Sequence, residues 1–211
     1  MMLCALENVK ALLGISGTES DAMLEILIKT QSALICAYIG FNPSIREYTE
    51  IQAVNNNQLL QLNNRPIRSV QSVKAGGVEV DDFKVIPRYA NIGMLYRGNG
   101  WCGPWYTRGM TYDPVSGAYD IEISYTAGWH LPGDAEYEEG AFDSLPYDIT
   151  VACMAAVSER FNVISSGAVG IKSHSEGGIS TTFEGSEGQG SGGLSKRVMA
   201  MLEPYRVIGV A

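Results

Sequence analysis

The chain has 211 residues, of which 45% are hydrophobic and 18% charged, and its formal net charge is −8 at pH 7. This composition is typical of a folded globular protein with one domain, or one domain carrying a smaller inserted one, and not of a disordered chain. The acidic balance and the lack of a lysine- and arginine-rich block argue against a protein that grips DNA by neutralising phosphates. They remain compatible with a protein that lets DNA pass.

The N-terminal residues predict synthesis in the cytosol. Residues 1–13 mix charges into an apolar run and lack a signal-peptide cleavage pattern, and no apolar run approaches the roughly 20 residues that span a bilayer. We therefore expect no membrane partner. The cysteines lack metal-site spacing and predict reduced thiols, with no metal and no cofactor; they are Cys4, Cys36, Cys102 and Cys153.

Apolar residues at helical spacing predict four helices. The first is short and ends at Gly14, and the second covers 21–39 and ends at Gly40. The third covers 147–164, with Pro146 in a position suited to a first turn. The last is a short helix over 194–203.

The middle of the chain predicts an antiparallel β module. Its strands are expected at 58–62, 67–74, 78–80, 92–97 and 119–126. The last is the clearest, because Ile121, Ile123 and Tyr125 alternate with polar residues and so give one face suited to burial and one suited to solvent. Residues 98–117 are rich in Gly, Trp and Tyr and are predicted to form a loop.

A β-hairpin is predicted over 168–184, with its turn at Gly177 and Gly178. Its faces are mostly polar, and an isolated hairpin of this kind is marginal in water. We therefore expect a partner subunit to complete it. A glycine- and serine-rich run then leads to the last helix.

The elements together predict an α+β fold: a small bundle of four helices with an inserted antiparallel β module and a C-terminal β-hairpin. Residues 1–48 and 145–211 are assigned to a discontinuous helical bundle that carries the hairpin and the last helix. Residues 49–130 are assigned to the inserted β module. Residues 131–144 are an acidic connector, which contains Asp134, Glu136, Glu138, Glu139 and Asp143.

No catalytic chemistry is predicted. Residues 188–193 match G-x-G-x-x-G, but no second strand follows, so a flexible linker is the better interpretation. His130 and His174 lack a nucleophile-elbow context. The acidic connector could supply carboxylates for glycoside hydrolysis, and three tryptophans could stack a sugar: Trp101, Trp105 and Trp129. A solvated acidic loop and an aromatic packing or interface patch are the alternatives.

The order of the sequence motifs resembles one protein family. The segments that carry the resemblance are 6–15 (L-x-x-V-K-x-L-L-G-I), 37–40 (A-Y-I-G), 60–73 (L-x-L-x-x-x-P-I-x-S-V-x-S-V), 125–129 (Y-T-A-G-W), 145–152 (L-P-x-x-I-x-x-A), 171–180 (I-K-S-x-S-x-G-G-I-S) and 202–206 (L-x-P-Y-R). Together they resemble the head–tail connector proteins, also called adaptor or head-completion proteins, of long-tailed bacteriophages.

The resemblance implies a structural virion protein and not an enzyme. Such proteins form a ring, usually dodecameric, beneath the portal protein, a tail-side stopper or tail-terminator protein docks below, and double-stranded DNA passes through. The resemblance implies an inter-subunit hairpin formed by Ile171, Lys172, Ser173, Ser175, Gly177, Gly178 and Ile179. It also implies portal docking by Leu202, Tyr205 and Arg206.

Two alternatives to the connector ring stay open at this point. One is a carbohydrate-binding or carbohydrate-active module built on the Trp- and Tyr-rich β insert. The other is a different neck or tail component of the same virion. The acidic composition favours a connector, because cationic patches facing the DNA would slow its passage.

Overall fold

The computed structural model describes residues 1–53, 57–101, 120–166, 173–176, 179–182 and 193–207. Its helices are α1 (Leu6–Leu13), α2 (Asp21–Ile39), α3 (Pro87–Ala90), α4 (Tyr147–Ser165) and α5 (Lys196–Leu202), followed by a 3₁₀ turn at Glu203–Tyr205. Its strands are β1 (Arg46–Ala53), β2 (Leu59–Gln61), β3 (Ile67–Ala75), β4 (Val78–Glu79), β5 (Phe83–Lys84), β6 (Met94–Arg97), β7 (Asp120–Ala127), β8 (Ser173–Glu176) and β9 (Ile179–Thr182). All strand pairs are antiparallel, so the predicted α+β class is confirmed.

The chain divides into two compact units. Unit 1 consists of Met1–Gly40 and His130–Ala211, and unit 2 consists of Phe41–Trp129. In unit 1, α4 packs against α1, α2 and α5. Its buried stripe, which includes Ile149 and Val157, follows the helical spacing of the sequence.

Glycines end the first two helices as the sequence predicts. Gly14 and Gly40 both adopt left-handed backbone conformations, with φ of 68° and 83°, and their N–H groups bond carbonyls of the preceding turn. By length and composition α2 could cross a membrane, but a helix buried in a protein core satisfies the same test. Seven residues of α2 are buried within unit 1, including Leu24, Ile28 and Ile35.

Unit 2 contains two sheets. The first has the strand order β1-β7-β3-β4 and the second has the order β2-β6-β5. The alternation predicted for β7 is present, since Ile121, Ile123 and Tyr125 are buried in a core that also contains Leu95 and Trp101. The apolar face of β7 therefore lies at the centre of unit 2.

Strand β1 was not identified from the sequence. It pairs with β7 along its whole length, from Arg46 opposite Ala127 to Ala53 opposite Asp120. Its burial alternates, but the polarity of its residues does not follow the burial, since Glu50 is half-buried and Ile51 exposed. The sequence therefore shows no alternation of apolar and polar residues that would mark the strand. The short strand β5 was also missed, because two residues carry no readable period.

The C-terminal region follows the predicted order of parts. The last helix begins at Lys196, two residues later than predicted, because the side chain of Ser195 caps it by accepting a hydrogen bond from the Val198 N–H at 3.3 Å. Strands β8 and β9 pair with each other, whereas 168–172, 177–178 and 183–184 of the predicted hairpin lie outside the described residues. The four-helix bundle and the complete hairpin stay predictions.

Candidate assembly surfaces

The C-terminal segment, residues 195–207, is anchored by apolar side chains. Val198 and Leu202 are both 0% exposed, and the helix that carries them packs against α4. Their spacing of four residues places both on one buried helical face. Leu202 therefore belongs to the core of unit 1, and its predicted portal contact would require this helix to leave its site.

The outer side of this segment carries a polar cluster, which we call the terminal cluster: Tyr38, Glu203 and Arg206. The Tyr38 hydroxyl donates a 2.7 Å hydrogen bond to Glu203, which raises the pKa of Tyr38. The guanidinium of Arg206 lies 5.5 Å from the Tyr38 ring centre and 3.7 Å from Glu203. Arg206 is thus exposed but held in place. Sequence reasoning found Arg206 alone, because its partner Tyr38 is 168 positions away.

Tyr205 is half-buried and faces the start of α4. Its hydroxyl lies 3.4 Å from a carboxylate oxygen of Asp148. Burial, and then the charge of Asp148, raise the pKa of Tyr205. One residue beyond Arg206, the backbone N–H of Val207 donates to the carbonyl of Ile39 at 2.9 Å. These contacts fix the C-terminal end of the segment, so it presents a preformed surface.

The predicted acidic connector is a folded loop, which we call the acidic loop (residues 130–145). Its ends meet, because His130 and Leu145 are joined by an N–H···O=C bond of 2.9 Å and His130 also bridges to Ser144. The buried Ser144 hydroxyl accepts a 3.0 Å hydrogen bond from the Glu138 N–H. Compact loops closed in this way are frequently functional.

Exposed aromatic residues accompany these acids. Phe142 is 69% exposed, and Tyr147, just beyond the loop, is 57% exposed. All five acidic side chains of the loop are exposed, and the loop contains no lysine or arginine. Large exposed aromatic side chains are typical of contact surfaces.

The net negative charge of the protein comes from one of its two units. Unit 1 contains 7 Lys and Arg and 15 Asp and Glu, which gives 7 − 15 = −8, whereas unit 2 contains 8 of each and is neutral. These counts include every residue of the sequence. Unit 1 therefore accounts for the whole formal charge of the chain.

The predicted hairpin residues are only partly described. Ser173, Ser175 and Ile179 lie in the paired strands β8 and β9, whereas 171–172 and 177–178 lie outside the described residues. The pair forms a separate two-stranded sheet, so each strand has one neighbour among the strands that the structure describes. The inter-subunit role of this hairpin stays a prediction.

The tryptophans do not form a sugar platform where they are described. Trp101 is 0% exposed and its indole N–H donates to the Leu95 carbonyl at 3.0 Å. Trp129 is also buried and lies 6.1 Å from the Phe41 ring. A buried ring cannot stack on a ligand, so neither Trp101 nor Trp129 can bind a sugar as the carbohydrate alternative requires. Trp105 lies outside the described residues. Within the described part of the chain, no group of three His, Cys, Asp or Glu residues could hold a metal ion.

Comparisons with known proteins give one family and nine similar solved chains. A protein-family model described as "Head completion protein" matches residues 2–208. No protein of curated function is significantly similar to the chain. Two solved chains, from "Neck of empty GTA particle computed with C6 symmetry" and "Virion of native gene transfer agent (GTA) particle", each have a TM-score of 0.50 and 15% identity. Each match covers 99% of this chain and 92% of the other, and at this identity it shows a shared fold.

Proposed function

Because this chain belongs to the head completion protein family, which gives it a structural role between head and tail, we propose that it forms a ring beneath the portal protein. The ring joins the DNA-filled head to the tail and lets double-stranded DNA pass. The protein is made in the host cytoplasm, acts in the neck of the virion and catalyses no reaction. The observation that carries this proposal is the family match over 2–208, nearly the whole chain.

The ring is built from copies of this chain, and we expect it to be a dodecamer. A similar chain belongs to a neck described with C6 symmetry, which is compatible with six or twelve copies. The two-stranded sheet of β8 and β9 supports a contact between copies. Each strand pairs with one neighbour among the described strands, and a strand of another copy could add backbone hydrogen bonds on its other side.

Portal docking is assigned to the surface of the C-terminal segment. Tyr205 and Arg206 keep the role that the family resemblance implies, whereas Leu202 supports them from the core. Tyr38 and Glu203 join this surface because both contact Arg206. A surface held by hydrogen bonds and ring contacts loses little conformational freedom on binding, which favours affinity. A tail-side stopper or tail-terminator protein binds the opposite side of the ring.

The charge distribution supports passage of DNA without retention. A DNA-binding surface needs several lysine or arginine residues against the phosphates, and unit 1 has an excess of eight carboxylates over cations while unit 2 is neutral. An acidic or neutral channel wall repels the backbone or leaves it unbound. A ring made from this chain would therefore not retain DNA by electrostatic attraction to the phosphates.

The test uses DNA-filled heads that carry a portal but lack this protein. Adding the purified chain is expected to protect the packaged DNA from nuclease and to add a ring beneath the portal in electron micrographs. Heads that stay leaky and show no added ring would contradict the proposal.

Two variants examine the two surfaces separately. Deleting 172–181 is expected to leave a folded monomer that does not join the ring, measured by circular dichroism and by the mass of the assembly.

Arg206→Glu is expected to weaken portal binding at least tenfold, because the charge reversal breaks the terminal cluster. Lys29→Glu is the matched control, since Lys29 is also exposed and also pairs with one glutamate at 3.7 Å. Equal binding by the two charge-reversal variants would remove the docking role of Arg206.

A further inference from the structure

Two thiols from distant parts of the chain meet in the core of unit 1. Cys4 lies in the segment before α1 and Cys153 lies in α4, 149 positions later. Their sulfur atoms are 3.4 Å apart, and the S–H of Cys4 donates to Cys153. Both residues are 0% exposed. The sequence predicted separate reduced thiols, because local spacing gives no sign of contacts over such a distance.

A small polar cluster holds the N-terminal segment in this position. The Ser32 hydroxyl of α2 accepts a 3.0 Å hydrogen bond from the Leu3 N–H, and it lies 3.6 Å from the Cys153 sulfur. Ser32 and Leu3 are themselves buried. The two sulfurs are therefore fixed opposite each other by both chain segments and do not meet by chance at a mobile surface.

We propose that Cys4 and Cys153 are a site of oxidative modification, at which an intramolecular disulfide bond joins the N-terminal segment to α4. The sulfurs would close from 3.4 Å to the bonding distance of about 2.05 Å. The setting in which this occurs, a virion released from the reducing cytoplasm, rests on the proposed function. The thiol chemistry does not.

The oxidant is a small disulfide of the glutathione type. One thiolate of the pair attacks one sulfur of the oxidant, forms a mixed disulfide and releases the first thiol. The other thiolate then attacks the protein-bound sulfur of the mixed disulfide and releases the second thiol. The two cysteines lose two protons and two electrons, and the oxidant is reduced to two thiols.

Local opening of the segment before α1 controls the rate of this reaction. In the closed structure, the hydrogen bond to Cys153 and burial raise the pKa of Cys4, which suppresses the reactive thiolate. Local opening of a short segment occurs far more often than unfolding of the whole protein. Opening of residues 1–5 exposes Cys4 to the oxidant, and reclosing brings it back to Cys153.

The experiment treats the full-length protein with oxidised glutathione under native conditions, in a background carrying Cys36→Ser and Cys102→Ser. We expect an intact mass lower by two hydrogen atoms, a peptide map linking Cys4 to Cys153, and two thiols that no longer react with iodoacetamide after the oxidised protein is unfolded without a reductant. The bond closes a long loop of the unfolded chain, so the Tm of unit 1 should rise by roughly 5 to 10 °C.

Cys4→Ala in the same background is the matched control and should neither form the bond nor gain in Tm. The inference is overturned if the pair cross-links only in denaturant, or if the mixed disulfide accumulates in place of the protein disulfide. It is also overturned if both thiols remain free after oxidation of the native protein. None of these outcomes bears on head completion, which the nuclease assay measures separately.

Discussion

Gly128 shows how one residue can determine the packing of unit 2. Its φ of 113° lies in a region that side chains rarely adopt, and an added Cβ would lie 2.5 Å from the Ser44 carbonyl oxygen. Its own backbone is bonded on both sides, to the Pro66 carbonyl at 3.0 Å and to the Arg68 side chain at 2.8 Å. The backbone therefore cannot shift without breaking these bonds.

We accordingly expect Gly128→Ala to destabilise unit 2 by about 3 to 5 kcal/mol, measured by urea denaturation. Gly77→Ala is the control in the same unit. Its φ is 79° and nothing lies within 4 Å of the added Cβ, so it should cost only about 1 to 2 kcal/mol for the backbone conformation. Equal losses would show that the contact with Ser44 relaxes freely.

Tyr125 links the core of unit 2 to a polar network. Its hydroxyl donates a hydrogen bond to the Glu50 carboxylate and accepts one from the Asn64 N–H at 3.2 Å. Burial, and then the hydrogen bond to Glu50, raise the pKa of Tyr125 well above its usual value. The folded protein thus holds this proton more tightly than the unfolded chain.

The sign of the resulting pH dependence follows directly. Stability from Tyr125 is complete below the unfolded pKa of about 10 and falls as the pH rises toward the folded value. We expect the free energy of unfolding to decrease as the pH rises above about 10. Tyr125→Phe should have a shallower decrease and should be less stable at neutral pH by about 1 to 3 kcal/mol. If the free energy of unfolding of Tyr125→Phe falls with pH as steeply as that of the unchanged protein, the pH dependence arises from other tyrosines.

At the level of elements, the sequence predicts best those strands and helices whose buried residues recur at a regular spacing. β7 and α2 were predicted within one residue because their buried positions repeat at periods of two and of three to four. β1 was missed because residue polarity does not follow burial in this edge strand: Glu50 and Gln52 lie on its half-buried side and Ile51 on its exposed side.

The contacts of the docking surface were likewise only partly predictable from the sequence. Arg206 was named from a motif, but its neighbours Tyr38 and Glu203 could be joined only by the fold. Leu202 matched the same motif, and its burial follows from its position four residues after Val198 on a helix packed against α4. A motif identifies a segment, whereas packing decides which of its side chains reach the surface.

α5 offers a test of this division. Leu202→Ala is expected to destabilise unit 1 by about 2 to 5 kcal/mol, because it leaves a cavity between α5 and α4. Arg206→Ala removes an exposed ion pair and should cost less than about 1 kcal/mol. Thermal unfolding and hydrogen exchange of 196–202 measure both. A Leu202→Ala protein of unchanged stability would return Leu202 to the list of docking residues.

At the scale of the whole molecule, unit 2 has the features of an independently folding insert. Its two chain ends meet, since the Trp129 N–H donates to the Pro43 carbonyl at 2.8 Å and the Ile45 N–H donates to the Trp129 carbonyl at 3.0 Å. Its apolar core, from Leu60 to Ala127, is formed by its own residues. Domain insertions of this kind are tolerated where the two termini lie close together.

We therefore expect a fragment comprising residues 41–129 to fold alone. Its core contains large side chains from both sheets, such as Tyr125 and Leu95, and also Trp101, which follows β6. A length of 89 residues is enough for a single small core to be stable. The fragment should show a strand-rich circular dichroism spectrum and one cooperative unfolding transition in urea. Tyr125→Ala in the fragment removes a buried ring and should abolish that transition, which shows that the native core is being measured. A fragment that is unfolded at every urea concentration would mean that unit 2 depends on unit 1 for its stability.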